Sequence, residues 1–481
     1  MKSISPELAE LARFSVETAW EDLPAPVVHE TKRLLLDSIG CALAGIAIDP
    51  GKIAVALARR LGGPPEASII GVGDKVSCSS AVLANGQLVN AADYDALPGG
   101  GHTPPYIVPP PLAIAEMTGA SGKELILATA IGFEIASRMS LATRTYLPSE
   151  KPGWGPSTVR TGYAYCNFGA AAGAGKILKF NREKMANTLG LAGHLCQVLT
   201  WGTQGATLDG SGPMTKYGVP GWQNTGGVMA ALLAEMGYMG DTMVLNPEAG
   251  FWHFCGYGDW HPERIVDGIG KTWQFITVNY KLYPSCRTTH APLECFLRIM
   301  EHNHLTSEEI ESVRVFGPQI PKDIESSKSL DTHFGLQGFF KKREINSVLD
   351  IQFSIPNVFA IAANRLPVGM EWQDLDRVKT PEILDFARKV SFHFYPEENK
   401  NLKINTVEVL ARGKVYKGEV KTGVRGSPIK GLQMTDEELA EKFRHNASRI
   451  LTRDKVEGAI KTIFELEKTR NIQGLIPLIT L

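Results

Sequence analysis

The stretch Thr31-Lys32-Arg33-Leu34-Leu35-Leu36-Asp37-Ser38-Ile39-Gly40-Cys41-Ala42-Leu43-Ala44-Gly45 decides the reading of the first half of the chain. Leu35, Ile39 and Leu43 recur at steps of four, which sets them on one helix face, and Ala42, Ala44 and Gly45 let a neighbouring helix approach closely. Asp37 interrupts residues 34–48, the best candidate for a long apolar run. No run therefore reaches the length of about 18 residues that a membrane span needs, and this one reads as a buried helix of a soluble protein. Similar runs at 80–93, 122–140, 169–179, 182–196 and 225–239 extend the helical reading outward. Between them, residues 97–111 and 202–220 are rich in Gly and Pro and read as loops whose backbone can approach a ligand.

The pattern changes after Asp267. Residues 274–280, 311–315, 389–395 and 406–419 are enriched in β-branched and aromatic side chains and read as strands, with helical pieces at 290–301, 346–364 and 381–388. Thr435-Asp436-Glu437-Glu438 is a capping-box pattern opening a helix over 437–451, and 454–468 follows in kind. The expected division is a helical domain over 1–267, an α+β unit over 268–425, and a helical tail over 426–481 that returns to the first domain. A cleft is expected at the junction.

The chain has 481 residues, enough for two to four domains. Its 50 Lys and Arg against 51 Asp and Glu leave a net charge of −1, so no global field favours nucleic acid or an anionic membrane. Seven cysteines, none in a C-x-x-C pair, point to reduced thiols in a cytoplasm rather than a disulfide or zinc framework. Residues 1–10 carry Glu7 and Glu10 before any apolar run, so neither a signal nor a transit peptide is expected.

Familiar nucleotide and hydrolase motifs fail. In Gly169-Ala170-Ala171-Ala172-Gly173-Ala174-Gly175-Lys176, Ala170 replaces the first glycine of a phosphate loop and Ile177 its Ser/Thr, leaving a helix of small residues. No G-x-S-x-G or H-E-x-x-H occurs.

Three polar clusters remain. Asn90-Ala91-Ala92-Asp93-Tyr94-Asp95, followed by the loop carrying His102, sets two carboxylates near an imidazole: equipment for acid–base work, or a structural pairing with a solvated histidine. Lys216 stands in a Gly/Pro-rich loop, either binding a carboxylate or solvated beside a helix start. Lys281-Leu282-Tyr283-Pro284-Ser285-Cys286-Arg287-Thr288-Thr289-His290 gathers Lys281, Arg287 and His290 at a strand-to-helix junction, an anion site or a structural pairing. Cys286 is either a thiolate held by Arg287 or inert. Trp201, Trp222, Trp252 and Trp260 line a pocket or pack in a core or subunit interface.

Taken in order, these segments resemble the MmgE/PrpD family over essentially the whole chain. The likeness rests on residues 32–41, Asp93-Tyr94-Asp95, His102 with Val108-Pro109, residues 168–176, Thr215-Lys216, residues 281–290 and Gln352-Phe353-Ser354-Ile355-Pro356. It implies a mostly α, two-domain architecture: an all-helical domain built from both chain ends, with an inserted α+β lid. A homodimer, with a metal-free and cofactor-free site between the domains for a small di- or tricarboxylate, is also implied. Active-site positions carry over to Asp93, His102, Lys216 and Lys281, with Arg287 and His290 in the same signature segment; together with Arg160 and Cys286, these last two are the expected substrate-binding residues. The chain departs from the decarboxylase branch of the family, reading Asp93-Tyr94-Asp95-Ala96-Leu97 where that branch has Asp-x-Asp-Asp-Thr, and Arg160, Cys286 and Val219 where it has histidines. The expected activity is that of a hydro-lyase dehydrating a 2-methylcitrate-like or alkylcitrate-like 2-hydroxy acid. An epimerase or isomerase, a cis-aconitate-type decarboxylase and a non-catalytic carboxylate-binding dimer are the alternatives.

Overall fold

The computed structural model describes residues 3–99, 101–143, 163–197, 214–215, 217–255, 257, 260–317, 342–395, 405–420 and 423–481. The first half forms α1 (Pro6–Glu17), α2 (Ala25–Gly45), α3 (Asp49–Leu61), α4 (Cys78–Ala91), α5 (Pro109–Thr118), α6 (Gly122–Ala142), α7 (Cys166–Ile177), α8 (Arg182–His194) and α9 (Pro220–Glu235). Every residue of α2 from Thr31 to Gly45 is buried, as befits a helix enclosed on all sides. The small residues of α7 do not hold a phosphate; a Cβ on Gly169 would come within 2.3 Å of the Gly132 carbonyl oxygen, so glycine lets α7 lie directly on α6. By length and composition α6 could cross a membrane, yet 89% of its apolar window is buried inside the protein.

The Pro-rich segment expected to be a loop is helical from Pro104 onward, because its prolines occupy first-turn positions where the missing N–H costs nothing. The strand expected over 274–280 shrinks to two residues. The Glu134 carboxylate accepts from the backbone N–H of Gln274 at 2.7 Å, taking a donor that a strand neighbour would otherwise use. What survives is an antiparallel ladder of β1 (Leu97–Pro98) and β2 (Val278–Asn279).

The α+β unit comprises α10 (Arg287–His302), β3 (Ile310–Gly317), α11 (Val348–Gln352), α12 (Ile355–Ala363), α13 (Pro381–Lys389), β4 (Val390–Phe394), β5 (Asn405–Ala411) and β6 (Lys414–Val420). Its sheet runs β4-β3-β5-β6, with β3 and β4 parallel and the other pairs antiparallel. Val313, Val315, Val407 and Val409 share a second apolar core with Phe296 of α10, Phe359 of α12 and Phe386 of α13. The segment expected as one strand over 406–419 folds as a hairpin, turning through Arg412 (φ +52°) and Gly413 (φ +66°). Residues 346–364 break into α11 and α12 where Ser354 caps the second helix and Pro356 lacks the donor to continue the first.

The tail forms α14 (Asp436–Ala447) and α15 (Arg453–Phe464), whose Leu439, Phe443, Ile460 and Ile463 join the core of Leu35 and Ile39. From α14 the Lys442 ammonium enters this core and donates to Asp37 Oδ1 at 2.7 Å, the Tyr94 carbonyl at 2.8 Å and the Lys281 carbonyl at 3.1 Å. Lys442→Met would strand the buried Asp37 carboxylate, an expected loss of about 3–5 kcal/mol in urea unfolding. The double variant Asp37→Leu/Lys442→Met is expected to be the more stable of the two; if it is not, the cost lies in packing rather than charge.

Candidate active site

Ala91 ends α4, and the chain turns through Asp93 in the left-handed region at φ +51°, a conformation that side chains rarely adopt. The turn sends Asp93 and Asp95 into the interior, where both are fully buried. The β1–β2 ladder then brings residues 97–98 against 278–279, which carries Lys281 up to the same turn. Lys281 is itself fully buried, pairs with Asp93 Oδ2 at 3.0 Å and donates to the Asp93 carbonyl at 2.7 Å.

Asp95 lies 3.0 Å from Nδ1 of His102, and the Asn90 amide donates to its other oxygen at 3.4 Å. Burial opposes ionisation of Asp95, but the charge and hydrogen bond of His102, with Lys281 behind them, hold its carboxyl below the ordinary value. The imidazole stacks on Tyr217 with ring centres 4.4 Å apart and meets the edge of Tyr163. Tyr217 is also left-handed, at φ +54°, and its carbonyl accepts from Tyr106 Oη at 2.6 Å. Left-handed backbone at Asp93 and Tyr217, both near one imidazole, is the kind of feature that collects at functional sites.

Two carboxamides fasten the α+β unit to this turn. Gln352 donates to the Ala91 carbonyl at 2.8 Å, and Gln373 donates to those of Ala92 at 3.3 Å and Pro284 at 2.7 Å, meeting acceptors that the end of α4 leaves open. Tyr217 packs with Leu349 and Phe353 of the α+β unit, and Tyr163 and Cys286 lie against that group. Beside Asn90 opens a cavity of 160 Å³ between the two units, lined by Gln87, Asn90 and Ala91 on one side and Ser347, Leu349 and Gln352 on the other.

The structure thus brings together Asp93, His102 and Lys281, and adds Asp95 as the group that orients the imidazole. Cys286 borders the same junction; its sulfur lies 2.9 Å from Thr288 Oγ1, and burial together with the charge of Asp93 pushes its thiol up. Arg287 turns to neutral partners: Ser427 Oγ at 2.9 Å, the Arg425 carbonyl at 3.3 Å and Nδ1 of His290 at 3.2 Å. Burial pushes its guanidinium down to about 10. With Nδ1 facing Arg287 and Nε2 at 3.3 Å from the Ser285 carbonyl, His290 has both ring nitrogens engaged. Arg160, Lys216 and Trp201 lie outside the described residues. The other tryptophans do not border the cavity: Trp252 stacks on Trp260, and Trp222 is exposed on α9.

The ligand atoms of Asp93, Asp95 and His102 fall within 4.8 Å of one another, a spacing that would suit a metal ion. Lys281 already pairs with Asp93, and the imidazole lies within hydrogen-bond distance of Asp95. An imidazole held on one ring nitrogen by a buried carboxylate is a group able to move a proton.

Burial, reinforced by Arg287 and Lys281, holds the His290 imidazole well below its ordinary value. Folded His290 stays neutral while the unfolded chain takes up a proton below about pH 6.5, so stability falls as pH drops through that value, by up to about 1.4 kcal/mol per unit. Urea unfolding near pH 7 and near pH 5.5 is expected to show a shallower decline for His290→Gln than for the parent; equal slopes would contradict the assignment.

Comparison with known proteins agrees with this architecture. Residues 9–263 match the MmgE/PrpD N-terminal domain and residues 283–466 the MmgE/PrpD C-terminal domain. Among similar proteins are a cis-aconitate decarboxylase of Aspergillus terreus, 24% identical over 98% of this chain and 95% of its own, and one of Homo sapiens, 24% identical over 94% and 90%. A cis-aconitate decarboxylase-like protein of Aspergillus oryzae is 22% identical over 98% and 97%. With both domains matched in succession around the junction of Asp93, His102 and Lys281, the chain belongs to the MmgE/PrpD family.

Proposed function

We propose that the protein is a lyase that transfers a proton beside a carboxylate of a small di- or tricarboxylate, dehydrating an alkyl-bearing 2-hydroxy acid of the 2-methylcitrate kind. The observation that carries this reading is the buried Asp95–His102 pair set next to the Lys281–Asp93 pair. Asp95 accepts the Nδ1 proton and fixes the ring, which leaves Nε2 to exchange a proton with substrate. Removing a proton beside a carboxylate builds a second negative charge on the same group, and the Lys281 ammonium is a fixed, water-excluded charge able to stabilise it. His102 and Asp93 divide the two transfers: one takes the Cα proton, the other protonates the departing hydroxyl, and the alkene and water leave.

The cavity beside Asn90 supports the alkyl-bearing part of the reading. Among the described residues that line it, Pro50, Ala91, Leu349 and Leu375 form apolar wall, the polar remainder is carboxamide and hydroxyl, and the charged one is Asp49. The apolar part of that wall would accept an uncharged extension of the substrate.

The names of the relatives favour a second reading, decarboxylation of a cis-aconitate-like tricarboxylate, in which the imidazole delivers a proton to carbon as carbon dioxide leaves.

A nuclear magnetic resonance screen in heavy water against citrate, 2-methylcitrate, longer alkylcitrates, cis-aconitate and tartrate separates these. An alkene formed from a 2-hydroxy acid is the expected outcome. Carbon dioxide released from cis-aconitate would establish the second reading, deuterium exchange without net loss would move the protein to the epimerases, and silence on every acid would overturn the lyase reading. With the substrate so found, His102→Asn is expected to lower kcat about 10²- to 10⁴-fold in protein that circular dichroism shows to be folded. Activity near the parent value would remove His102 from the chemistry.

A further inference from the structure

Away from this junction, two thiols that are distant in sequence meet. Cys196 follows the last turn of α8, and Cys255 follows the short helix Phe251–Phe254. Their sulfurs lie 3.5 Å apart, and Cys196 Sγ is 3.0 Å from the Gly193 carbonyl. If Cys196 donates to Gly193, the S–H of Cys255 is left to donate to the Cys196 sulfur.

Both segments are clamped on Val244. A Cβ on Gly193 would come within 2.3 Å of the Val244 side chain, and the Phe251 N–H donates to the Val244 carbonyl at 2.8 Å. Phe251 packs edge-on against Phe168 at 4.8 Å, and Trp252 stacks on Trp260, fixing the short helix that carries Cys255. The contact between the thiols is therefore built by the core around them. Cys196 is partly exposed and reachable by a small oxidant, whereas Cys255 is 3% exposed.

We propose that Cys196 and Cys255 form an oxidation site, which a hydroperoxide closes into a disulfide. The Cys196 thiolate attacks one peroxide oxygen, the O–O bond breaks and the second oxygen leaves as hydroxide, giving a sulfenic acid at Cys196. Cys255 sulfur then attacks Cys196 sulfur and expels the sulfenic oxygen as hydroxide. The two thiol protons convert both hydroxides to water, so two thiols and one peroxide give one disulfide and two waters. Bond formation needs the sulfurs to close from 3.5 Å to about 2.05 Å.

The environment of the thiols supports this order of events. The hydrogen bond from Cys255 holds Cys196 below the ordinary thiol value against the effect of burial. The other six cysteines, Cys255 included, are all pushed up. Cys286, the other partly exposed cysteine, faces Thr288 and has no second thiol beside it to complete a disulfide.

The test is titration of the full chain with hydrogen peroxide, followed by thiol counting after denaturation and peptide mapping without reductant. Titratable thiols are expected to fall by two from the seven of the reduced chain, with one cross-linked peptide containing Cys196 and Cys255 that dithiothreitol separates. In Cys255→Ser the sulfenic acid at Cys196 is expected to persist and be captured by dimedone. Retention of all seven thiols, or oxidation of Cys286 with the pair intact, would overturn the proposal, and the mapping of the parent chain decides this even if a variant fails to fold.

Discussion

The buried Lys442 ammonium ties three separate segments together at the junction of the two units. Lys442 brings one positive charge into the core from the tail, and its three acceptors come from three separate segments: Asp37 on α2, Tyr94 in the turn after α4, and Lys281 at the crossing into the α+β unit. Its ammonium also sits 3.8 Å from the centre of the Tyr94 ring. An ion taken from water costs several kcal/mol unless every donor finds a partner, so the three segments are held in one arrangement by the need to satisfy it. The Asp37 carboxylate returns the constraint, since its second oxygen accepts from the Ala96 N–H at 3.0 Å. Chain ends and middle meet at one polar point inside an apolar core.

That point explains how Asp93 keeps a left-handed backbone. Lys281 draws on the Asp93 carbonyl and Lys442 on the next one, so two ammonium groups grip consecutive peptides of the strained turn. Strain of this kind persists only where the surroundings over-determine it. Asp37, Asp93 and Asp95 supply three carboxylates here, and Lys442 and Lys281 supply two permanent cations. The third position belongs to His102, the member of the set whose charge depends on a proton.

Much of the helical architecture was legible because it rests on local periodicity: the steps of four in α2 are the buried face of a central helix. The strand expected over 274–280 was not, since the competitor for its backbone is Glu134, far away in sequence. The polar clusters announced Asp93, His102 and Lys281 through residue type and order. The stacking of Tyr217 on His102 and the reach of Lys442 into the core are long-range contacts that no local spacing encodes. Lys442 lies in a helix with Glu437, Glu438, Glu441 and Arg444 around it, a pattern that reads as a solvated face. The thiol pair was hidden in the same way, its members separated by 59 positions.

Dehydration and epimerisation begin by removing a proton beside a carboxylate, whereas in decarboxylation the departing carbon dioxide leaves its electron pair on carbon, and each needs the resulting negative charge stabilised. In the proposed chemistry the Asp95–His102 pair serves all three, so it does not choose among them. The choice falls to the groups that fix which bond of the substrate stands perpendicular to the forming enolate plane. Those are the cations that grip the carboxylates and the walls that receive the remainder of the molecule. Among the described residues, the walls beside Asn90 are carboxamide, hydroxyl and apolar, with Asp49 the charged member. A substrate seated with an uncharged arm in that cavity must keep its carboxylates on the Lys281 side, and the bond it then presents to His102 determines the product.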